Sequence, residues 1–299
     1  PLPLRTRLGS LRVLTQWCCV QKKADLVPPV LKLLWILLGT GEVHRDQHIP
    51  LGVRSRLRLF AAQCILKLAT CGAYASLILP RMGRLSYALQ DECFQVRMHL
   101  LHDLLLYLMR DELPTEFHAA IFLVAFDPED EPRVQVASYT RRLQVLPPIV
   151  RHERLERIIV RFLHLLAHHP DLNAESPQTL CSFARYLEFY LACVACETNI
   201  GVLARFSACV RTYIDLSLSE PSVENSRPLY AMAELAQFLI QRLADNHGWT
   251  IYPVDEEAPC PKDILRSTGT IARSVLDGEV WELLQQQPRR HRDKKTKVA

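Results

Sequence analysis

The stretch LRLFAAQCILKLA, residues 57–69, decides the fold class. Its apolar side chains recur every three or four residues, at Leu57, Phe60, Ala61, Cys64 and Leu68. The polar side chains of the same stretch, such as Arg58 and Lys67, fall largely elsewhere on the helix surface. This period predicts an amphipathic α-helix whose apolar face must be covered by a neighbouring element.

The composition of the whole chain agrees with this stretch. Of 299 residues, 49% are apolar and only 10 are glycine, which argues against a turn-rich β-protein. We therefore predict an all-α fold with about eleven helices separated by short breakers. The helices are expected near residues 4–20, 26–38, 55–70, 73–90, 93–110, 115–126, 132–145, 153–168, 178–196, 200–218 and 228–245.

A recurring pair of residues suggests a repeat. Leu11-Arg12, Leu57-Arg58 and Val96-Arg97 each lie at the second helix of a predicted hairpin, at intervals of 46 and 39 residues. HEAT and armadillo units have a period of about 40 to 47 residues. We predict a HEAT-repeat-like α-solenoid of stacked antiparallel helical hairpins over residues 1–246, in which each hairpin covers the apolar face of the next.

The pattern changes after residue 246. The stretch NHGWTIYPVDEEAPCPKD, residues 246–263, holds three prolines and an acidic run, which is typical of an extended surface segment. Residues 271–287 can form one further helix, so 247–287 is predicted as an extended segment plus a C-terminal helix. Residues 288–299 are basic and predicted to be disordered.

The chain has the composition of a soluble intracellular protein. Its longest apolar run, VLKLLWILLG at residues 30–39, is interrupted by Lys32, and a membrane span needs about 20 apolar residues. The opening PLPLRTRL has no charged-then-apolar leader, and we expect the chain to begin partway through a longer gene product. The ten cysteines form no regular framework, so reduced thiols are expected.

Five blocks carry a resemblance to a known family. They are RLRLFAAQCILKLA (56–69), DECFQVRMHLLHDLL (91–105), LPTEFHAAIFLVAFDPEDE (113–131), HLLAHHPDL (164–172) and LYAMAELAQFLI (229–240). In this order and spacing they resemble the cohesin-associated, HEAT-repeat sister-chromatid cohesion proteins of the precocious-dissociation-of-sisters family. The resemblance covers most of residues 50–245 and points to the later part of that family's repeat array.

The resemblance implies a function as well as a fold. It implies a nuclear, chromatin-associated and non-enzymatic scaffold that binds the kleisin subunit of cohesin. Such a scaffold would help recruit the loading, release and acetylation factors that control how long cohesin stays on chromatin. It also implies that these partners bind mainly through earlier repeats absent from this chain, with only indirect contact to chromatin and none to membranes.

Two other classes of protein are weighed against this interpretation. The same helical period would fit a HEAT-type nuclear transport protein or a general protein–protein adaptor. A metal-dependent enzyme is the third hypothesis, and it rests on the histidine and cysteine clusters. The sequence contains no glycine-rich phosphate loop, GxSxG elbow or HExxH motif, so we predict no catalytic residues and no cofactor.

The stretch HLLAHHPDL holds three histidines in six positions. His164 and His168 are four residues apart and share a helix face, so with His169 and a cysteine or carboxylate from another hairpin they could bind zinc. The favoured interpretation is a helix C-terminus at which histidine suits the helix dipole and Pro170 ends the helix. We therefore predict no metal site.

Two further clusters have ordinary structural explanations. Cys193 and Cys196 have the CxxC spacing of redox and zinc motifs, but they lie within an apolar helix without a second CxxC, which favours core thiols. Four acidic residues of one loop could hold a cation or a basic peptide, although a solvated helix-capping loop is favoured: Asp127, Glu129, Asp130 and Glu131.

Basic residues supply the candidate sites. The C-terminal tail is a candidate nuclear-targeting signal or nucleic-acid contact, against the alternative of a merely soluble tail: Arg289, Arg290, Arg292, Lys294, Lys295 and Lys297. Arg154, Arg157 and Arg161 lie at helical spacing and form a candidate partner-binding basic stripe. This stripe would bind an acidic protein segment or an inositol polyphosphate, and the alternative is a solvated helix face.

Overall fold

A computed structural model describes residues 4–42 and 49–286 of the chain, and most of these residues lie in helices. The α-helices, numbered in chain order, are α1 (Leu4–Gln21), α2 (Val27–Thr40), α3 (Leu51–Ala69), α4 (Ala75–Ile78), α5 (Met82–Ser86), α6 (Phe94–Met109), α7 (Asp130–Gln144), α8 (Pro148–Arg151), α9 (Ile159–Ala167), α10 (Pro177–Val194), α11 (Ile200–Cys209), α12 (Arg227–His247) and α13 (Gly278–Gln286). Two short strands, β1 (Tyr213–Asp215) and β2 (Leu265–Ser267), complete the fold.

The predicted stripe of α3 is buried. Leu57, Cys64 and Leu68 lie in the core, because α3 packs against α1, α2 and α6. Further along the chain, α10 packs against α7, α12 and α13, and α9 packs against α12. The buried side chains of successive helices form one continuous apolar cluster. This architecture confirms the predicted all-α, HEAT-like solenoid.

Arginine–aspartate ion pairs connect successive hairpins. Arg58 of α3 donates to the Asp91 carboxylate just before α6, with an Nη2–Oδ1 distance of 2.9 Å. Arg97 of α6 donates to the Asp91 carbonyl at 2.9 Å and to the Asp127 carboxylate, just before α7, at 2.7 Å. Arg133 of α7 then donates to the Asp127 carbonyl. The four contacts form an arginine–aspartate ladder, and it contains two of the arginines that mark the repeat period.

Several segments predicted as regular α-helices adopt other conformations. The helix predicted over 200–218 ends at Cys209, and β1 occupies part of its remaining length. Residues 72–90 alternate between short α-helical and 3-10 turns, since Pro80 lacks the backbone N–H that a continuous helix needs there. Thr115–Phe126 forms a 3-10 helix in which every residue from Phe117 to Ala125 is buried. Contacts with α6, α9 and α10 surround this 3-10 helix, so tertiary packing determines its conformation.

A cluster of aromatic rings joins this 3-10 helix to α9 and α10. Phe122 lies 5.7 Å from the Phe162 ring and 4.9 Å from the Tyr190 ring, measured between ring centroids. The Tyr190 hydroxyl is fully buried and donates to the Leu155 carbonyl at 2.6 Å. The cluster therefore contributes both apolar burial and a satisfied polar contact to the centre of the array.

The segment after residue 246 is attached to the helical array. Strands β1 and β2 pair antiparallel, with Tyr213 opposite Ser267 and Asp215 opposite Leu265. Helix α13 packs against α10. The division at residue 246 stays a prediction, and the predicted basic tail 288–299 lies outside the described residues.

No single helix within residues 4–42 and 49–286 is long and apolar enough to cross a membrane. One pair of segments, Leu51–Ala69 and Gly72–Gln90, meets the length and composition requirement only when taken together, and it is bent by 108°.

Candidate functional site

The predicted basic stripe begins in a widened turn before α9. Residues His152–Glu156 form a π-helical turn, so the helix predicted over 153–168 is regular only from Ile159 to Ala167. Such turns displace side chains from the ordinary helical positions and occur at functional sites. Arg154 lies within the turn, Arg157 directly after it, and Arg161 on α9.

Each arginine of the stripe contacts an acidic residue of the same chain. Arg154 donates to Asp111 at 2.8 Å. Arg157 donates to Glu256 at 3.2 Å, and its guanidinium also lies 3.3 Å from Glu153. The stripe is therefore neutralised by the loop after α6, by its own turn and by the extended segment after residue 246.

Arg161 is the most deeply placed member of the stripe. Its side chain is 4% exposed, and its Nη1 and Nη2 atoms donate to the two Asp263 carboxylate oxygens at 2.8 and 2.7 Å. Such a two-pronged contact fixes the orientation of both groups. Asp263 lies just before β2, so this ion pair holds the C-terminal segment against α9.

A buried glutamate supports the same region. Glu156 accepts hydrogen bonds from His152 at 2.7 Å and from the Asn199 amide at 2.9 Å. The other ring nitrogen of His152 contacts Glu256 at 2.9 Å. His152 thus links the buried carboxylate to the extended segment. The network satisfies charges whose burial would otherwise be costly.

The histidines of HLLAHHPDL point in two directions. His164 Nε2 lies 3.3 Å from Asp215 Oδ1 and 3.1 Å from Ser217 Oγ, whereas His168 Nε2 lies 2.6 Å from Asp215 Oδ2. His169 instead donates from Nε2 to the Gln90 side-chain oxygen at 2.6 Å. The structure therefore separates His169 from the other two histidines and adds a carboxylate to the pair. We call His164, His168 and Asp215 the His–Asp–His cluster.

The cluster has an unusual electrostatic environment. Burial raises the pKa of Asp215, but its contacts with His164 and His168 lower the pKa by more. The pKa of Asp215 therefore lies below its ordinary value. Burial lowers the pKa of His164, and the contact with Asp215 opposes that shift. Desolvation favours a neutral imidazole, while the adjacent carboxylate favours a protonated one.

The two cysteines of the CxxC stretch differ in their surroundings. Cys193 is buried at the end of α10, and burial raises the pKa of its thiol to about 11. Cys196 Sγ lies beyond the helix, 3.2 Å from Thr198 Oγ1. All ten cysteines lie in the described part of the chain as thiols. A thiol with a raised pKa is a poor nucleophile, so Cys193 behaves as a core residue.

The acidic loop before α7 stabilises the fold. The Asp127 carboxylate is buried and accepts from Arg97 and from the Glu129 backbone N–H. Asp130 and Glu131 lie in the first turn of α7, where acidic side chains complement the helix dipole. Asp130 pairs with Arg133 within the same helix.

The candidate nuclear-targeting residues lie outside the described part of the chain: Arg289, Arg290, Arg292, Lys294, Lys295 and Lys297. Their role stays a prediction.

Sequence reasoning did not anticipate Asp215, Glu256 or Asp263 as partners of the basic and histidine residues. Glu256 and Asp263 belong to the acidic stretch that the sequence placed on the surface. Nothing in the local sequence marks Asp215.

The chain is similar to a family of chromosome proteins. The family model described as sister chromatid cohesion protein PDS5 matches residues 2–266. The protein named sister chromatid cohesion protein pds5 from Schizosaccharomyces pombe is 27% identical over 245 residues, covering 81% of this chain and 20% of the relative. The Saccharomyces cerevisiae protein named sister chromatid cohesion protein PDS5 is 23% identical over 280 residues, covering 84% of this chain and 22% of the relative.

A vertebrate relative shows higher identity over a shorter range. The Danio rerio protein named sister chromatid cohesion protein PDS5 homolog A is 34% identical over 157 residues, covering 48% of this chain and 12% of the relative. The chain thus spans about a fifth or less of the length of these relatives.

Proposed function

Since this chain belongs to the sister chromatid cohesion protein PDS5 family, we propose that it is a scaffold region of a cohesin regulator. In this proposal it acts by binding and performs no covalent step. The observation that carries the proposal is the family match over residues 2–266, which includes the helical array from α1 to α12. The resemblance first seen in five sequence blocks is thereby confirmed at the level of the family.

The architecture suits a binding role. Stacked hairpins share one continuous core, and such an array presents an extended surface along which protein segments can bind. The arginine–aspartate ladder fixes neighbouring hairpins relative to one another, as a scaffold requires. The alternative of a nuclear transport protein or general adaptor rests on helical period alone, so the family match favours the cohesin regulator.

The finer parts of the proposal concern partners and location. We propose that the parent protein binds the kleisin subunit of cohesin and contacts loading, release and acetylation factors. We place it on chromatin in the nucleus, with most partner contacts in parts of the longer protein outside this chain. The names of the relatives, as sister chromatid cohesion proteins, support these partners and this location.

The test is affinity capture of the tagged full-length parent protein from dividing cells. We expect cohesin subunits to be enriched after nuclease digestion, because the proposed contacts are between proteins and need no DNA. An unrelated HEAT-repeat protein carrying the same tag serves as the control. Failure to enrich any cohesin subunit above this control would contradict the proposal. Depletion of the parent protein should also change sister-chromatid pairing in chromosome spreads.

The basic stripe as a partner-binding surface stays a prediction, and the structure sets a condition on it. An acidic segment or an inositol polyphosphate would have to displace Glu256 from Arg157 and Asp263 from Arg161. If the stripe has this role, Glu256→Gln should strengthen binding of an acidic peptide, because it weakens the internal competitor. Equal binding by the wild-type chain and the variant would argue for a purely structural stripe.

The basic tail is proposed as a nuclear-import signal or a nucleic-acid contact. Replacing the six basic residues by glutamine in the fluorescent full-length protein should reduce its nuclear fraction or weaken its salt-dependent DNA binding. If neither changes, the tail has only a solubilising role.

A further inference from the structure

The His–Asp–His cluster brings three metal-ligand atoms together between α9 and β1. One ring nitrogen each of His164 and His168 and a carboxylate oxygen of Asp215 all lie within 4.8 Å of one another. Imidazole nitrogen and carboxylate oxygen are ligands that zinc accepts. The sequence alone favoured no metal site here. The arrangement differs from the three-histidine set considered there, since Asp215 takes the place of His169.

The ligands come from two well-fixed elements. His164 lies in the last turn of α9 and His168 directly after it, so the two rings share one face of the helix end. Their ring centroids lie 4.4 Å apart. Asp215 ends β1, its backbone N–H donates to Ser226 Oγ at 3.0 Å, and its side chain accepts from the Ser217 N–H at 2.8 Å. Ligands held in this way need little rearrangement to bind a metal.

One of the two measured ligand separations is close to that of a tetrahedral site, and the other is shorter. Zinc–nitrogen and zinc–oxygen bonds of about 2.1 Å place neighbouring ligand atoms roughly 3.4 Å apart. The separation of His164 Nε2 and Asp215 Oδ1 is 3.3 Å, and that of His168 Nε2 and Asp215 Oδ2 is 2.6 Å. A small rotation of the His168 ring would open the shorter contact. The ion would take the place of the protons that the histidines share with the carboxylate.

The surroundings leave a fourth ligand position open to water and neutralise the nearby positive charge of Arg161. The His168 side chain is 30% exposed, so water can reach the cluster from that side. Ser217 Oγ, 3.1 Å from His164 Nε2, is placed to accept a hydrogen bond from such a water. The positive charge of Arg161, one turn before His164, is neutralised by its two-pronged contact with Asp263. Its repulsion of a cation is therefore reduced.

We propose that His164, His168 and Asp215 bind one zinc ion, with water as the fourth ligand. The ion holds β1, and through it β2 and the C-terminal segment, against the end of α9. The site acts as a clip with one side open to solvent.

The experiment uses the purified full chain, loaded with zinc and dialysed against metal-free buffer. We expect about one equivalent of zinc to remain, measured by elemental analysis and by release to a chromophoric chelator. His168→Gln should retain no zinc above background, because it removes the ligand that is easiest to substitute without disturbing the core. His102→Gln, at an exposed histidine on α6, is the matched control and should retain the full equivalent.

Cobalt distinguishes this site from adventitious binding to the ten cysteines. The Co²⁺-loaded chain should show the visible bands of a tetrahedral site without a thiolate charge-transfer band in the near ultraviolet. Far-UV circular dichroism establishes that His168→Gln is folded, and Asp215→Asn provides a second variant that should lose the metal. The proposal is overturned if the folded wild-type chain retains no zinc, if both variants retain a full equivalent, or if the cobalt spectrum shows thiolate ligands.

Discussion

The ion pair between Arg97 and Asp127 tests how successive hairpins are held together. The two side chains are 9% and 1% exposed. The carboxylate accepts from Arg97 Nε at 2.7 Å, from Arg97 Nη2 at 3.2 Å and from the Glu129 backbone N–H at 3.0 Å. Arg97→Met keeps an apolar stem of similar length but removes two of these three donors. The buried carboxylate is then left without a charged partner.

The expected cost follows from the contacts that are lost. Hydrogen bonds to a charged group contribute about 1.5–3 kcal/mol each, and removing one partner of a buried ion pair costs about 3–5 kcal/mol. We expect Arg97→Met to lower the free energy of unfolding by about 3–5 kcal/mol. Arg154→Met is the matched control, because its partner Asp111 is 70% exposed. An exposed pair of this kind contributes about 0–1 kcal/mol.

Urea denaturation followed by far-UV circular dichroism measures both variants, with thermal melting as a second assay. At about 1.6 °C per kcal/mol for a chain of 299 residues, Arg97→Met should lower Tm by roughly 5–8 °C. The double variant Arg97→Met/Asp127→Leu should recover part of this loss, because it leaves no unpaired buried charge. The reasoning is refuted if Arg97→Met is no more destabilising than Arg154→Met.

Three further predictions concern packing and protonation. A Cβ at Gly201 would lie 2.6 Å from the Tyr252 carbonyl oxygen, so Gly201→Ala should displace the extended segment and speed its proteolysis. The control is Gly52→Ala, which is also at the second residue of a helix. A Cβ there would have nothing within 4 Å, so proteolysis should be unchanged. Tyr190→Phe removes a buried hydroxyl donor and should lower the free energy of unfolding by about 1–3 kcal/mol in urea denaturation. Burial lowers the pKa of His118 to about 4, so the folded chain binds fewer protons than the unfolded chain between pH 6.5 and 4. The free energy of unfolding should therefore fall by up to roughly 3 kcal/mol as the pH drops through this range, and His118→Gln should flatten its dependence on pH. Parallel pH dependences for the wild-type chain and the variant would contradict the assignment of this effect to His118.

The local features of the fold were predictable from the sequence because they depend on periodicity within one helix. The stripe of α3 is an example, since the spacing of Leu57, Cys64 and Leu68 alone indicates which face is buried. The conformation of residues 115–126 was not predictable in this way. Apolar side chains occur on every side of that segment, so its period carries no information, and packing by three neighbouring helices selects the 3-10 form.

The residues of the candidate site also divide into those that the local sequence indicates and those that only the tertiary fold brings together. The sequence identified His164 and His168 as a pair on one helix face, which is a local relation. Their partner Asp215 lies 51 and 47 residues further along the chain and is placed by β1, a strand too short to leave a pattern. The partners of the basic stripe are similarly distant, since Arg157 and Glu256 are separated by 99 residues. Contacts at such separations are determined by how the C-terminal segment folds back.

The arginines that mark the repeat also have a physical role that their period alone does not reveal. Arg58 and Arg97 lie in the first half of α3 and α6, from where each reaches the aspartate in the loop before the next hairpin. Each aspartate also accepts a backbone N–H two residues further on, at Cys93 and Glu129, and so fixes the turn that starts the next helix. Apolar faces alone would permit neighbouring hairpins to slide, because hydrophobic contact is not directional. The directional ion pairs select one spacing, and we infer that they keep neighbouring hairpins at fixed separations along the array.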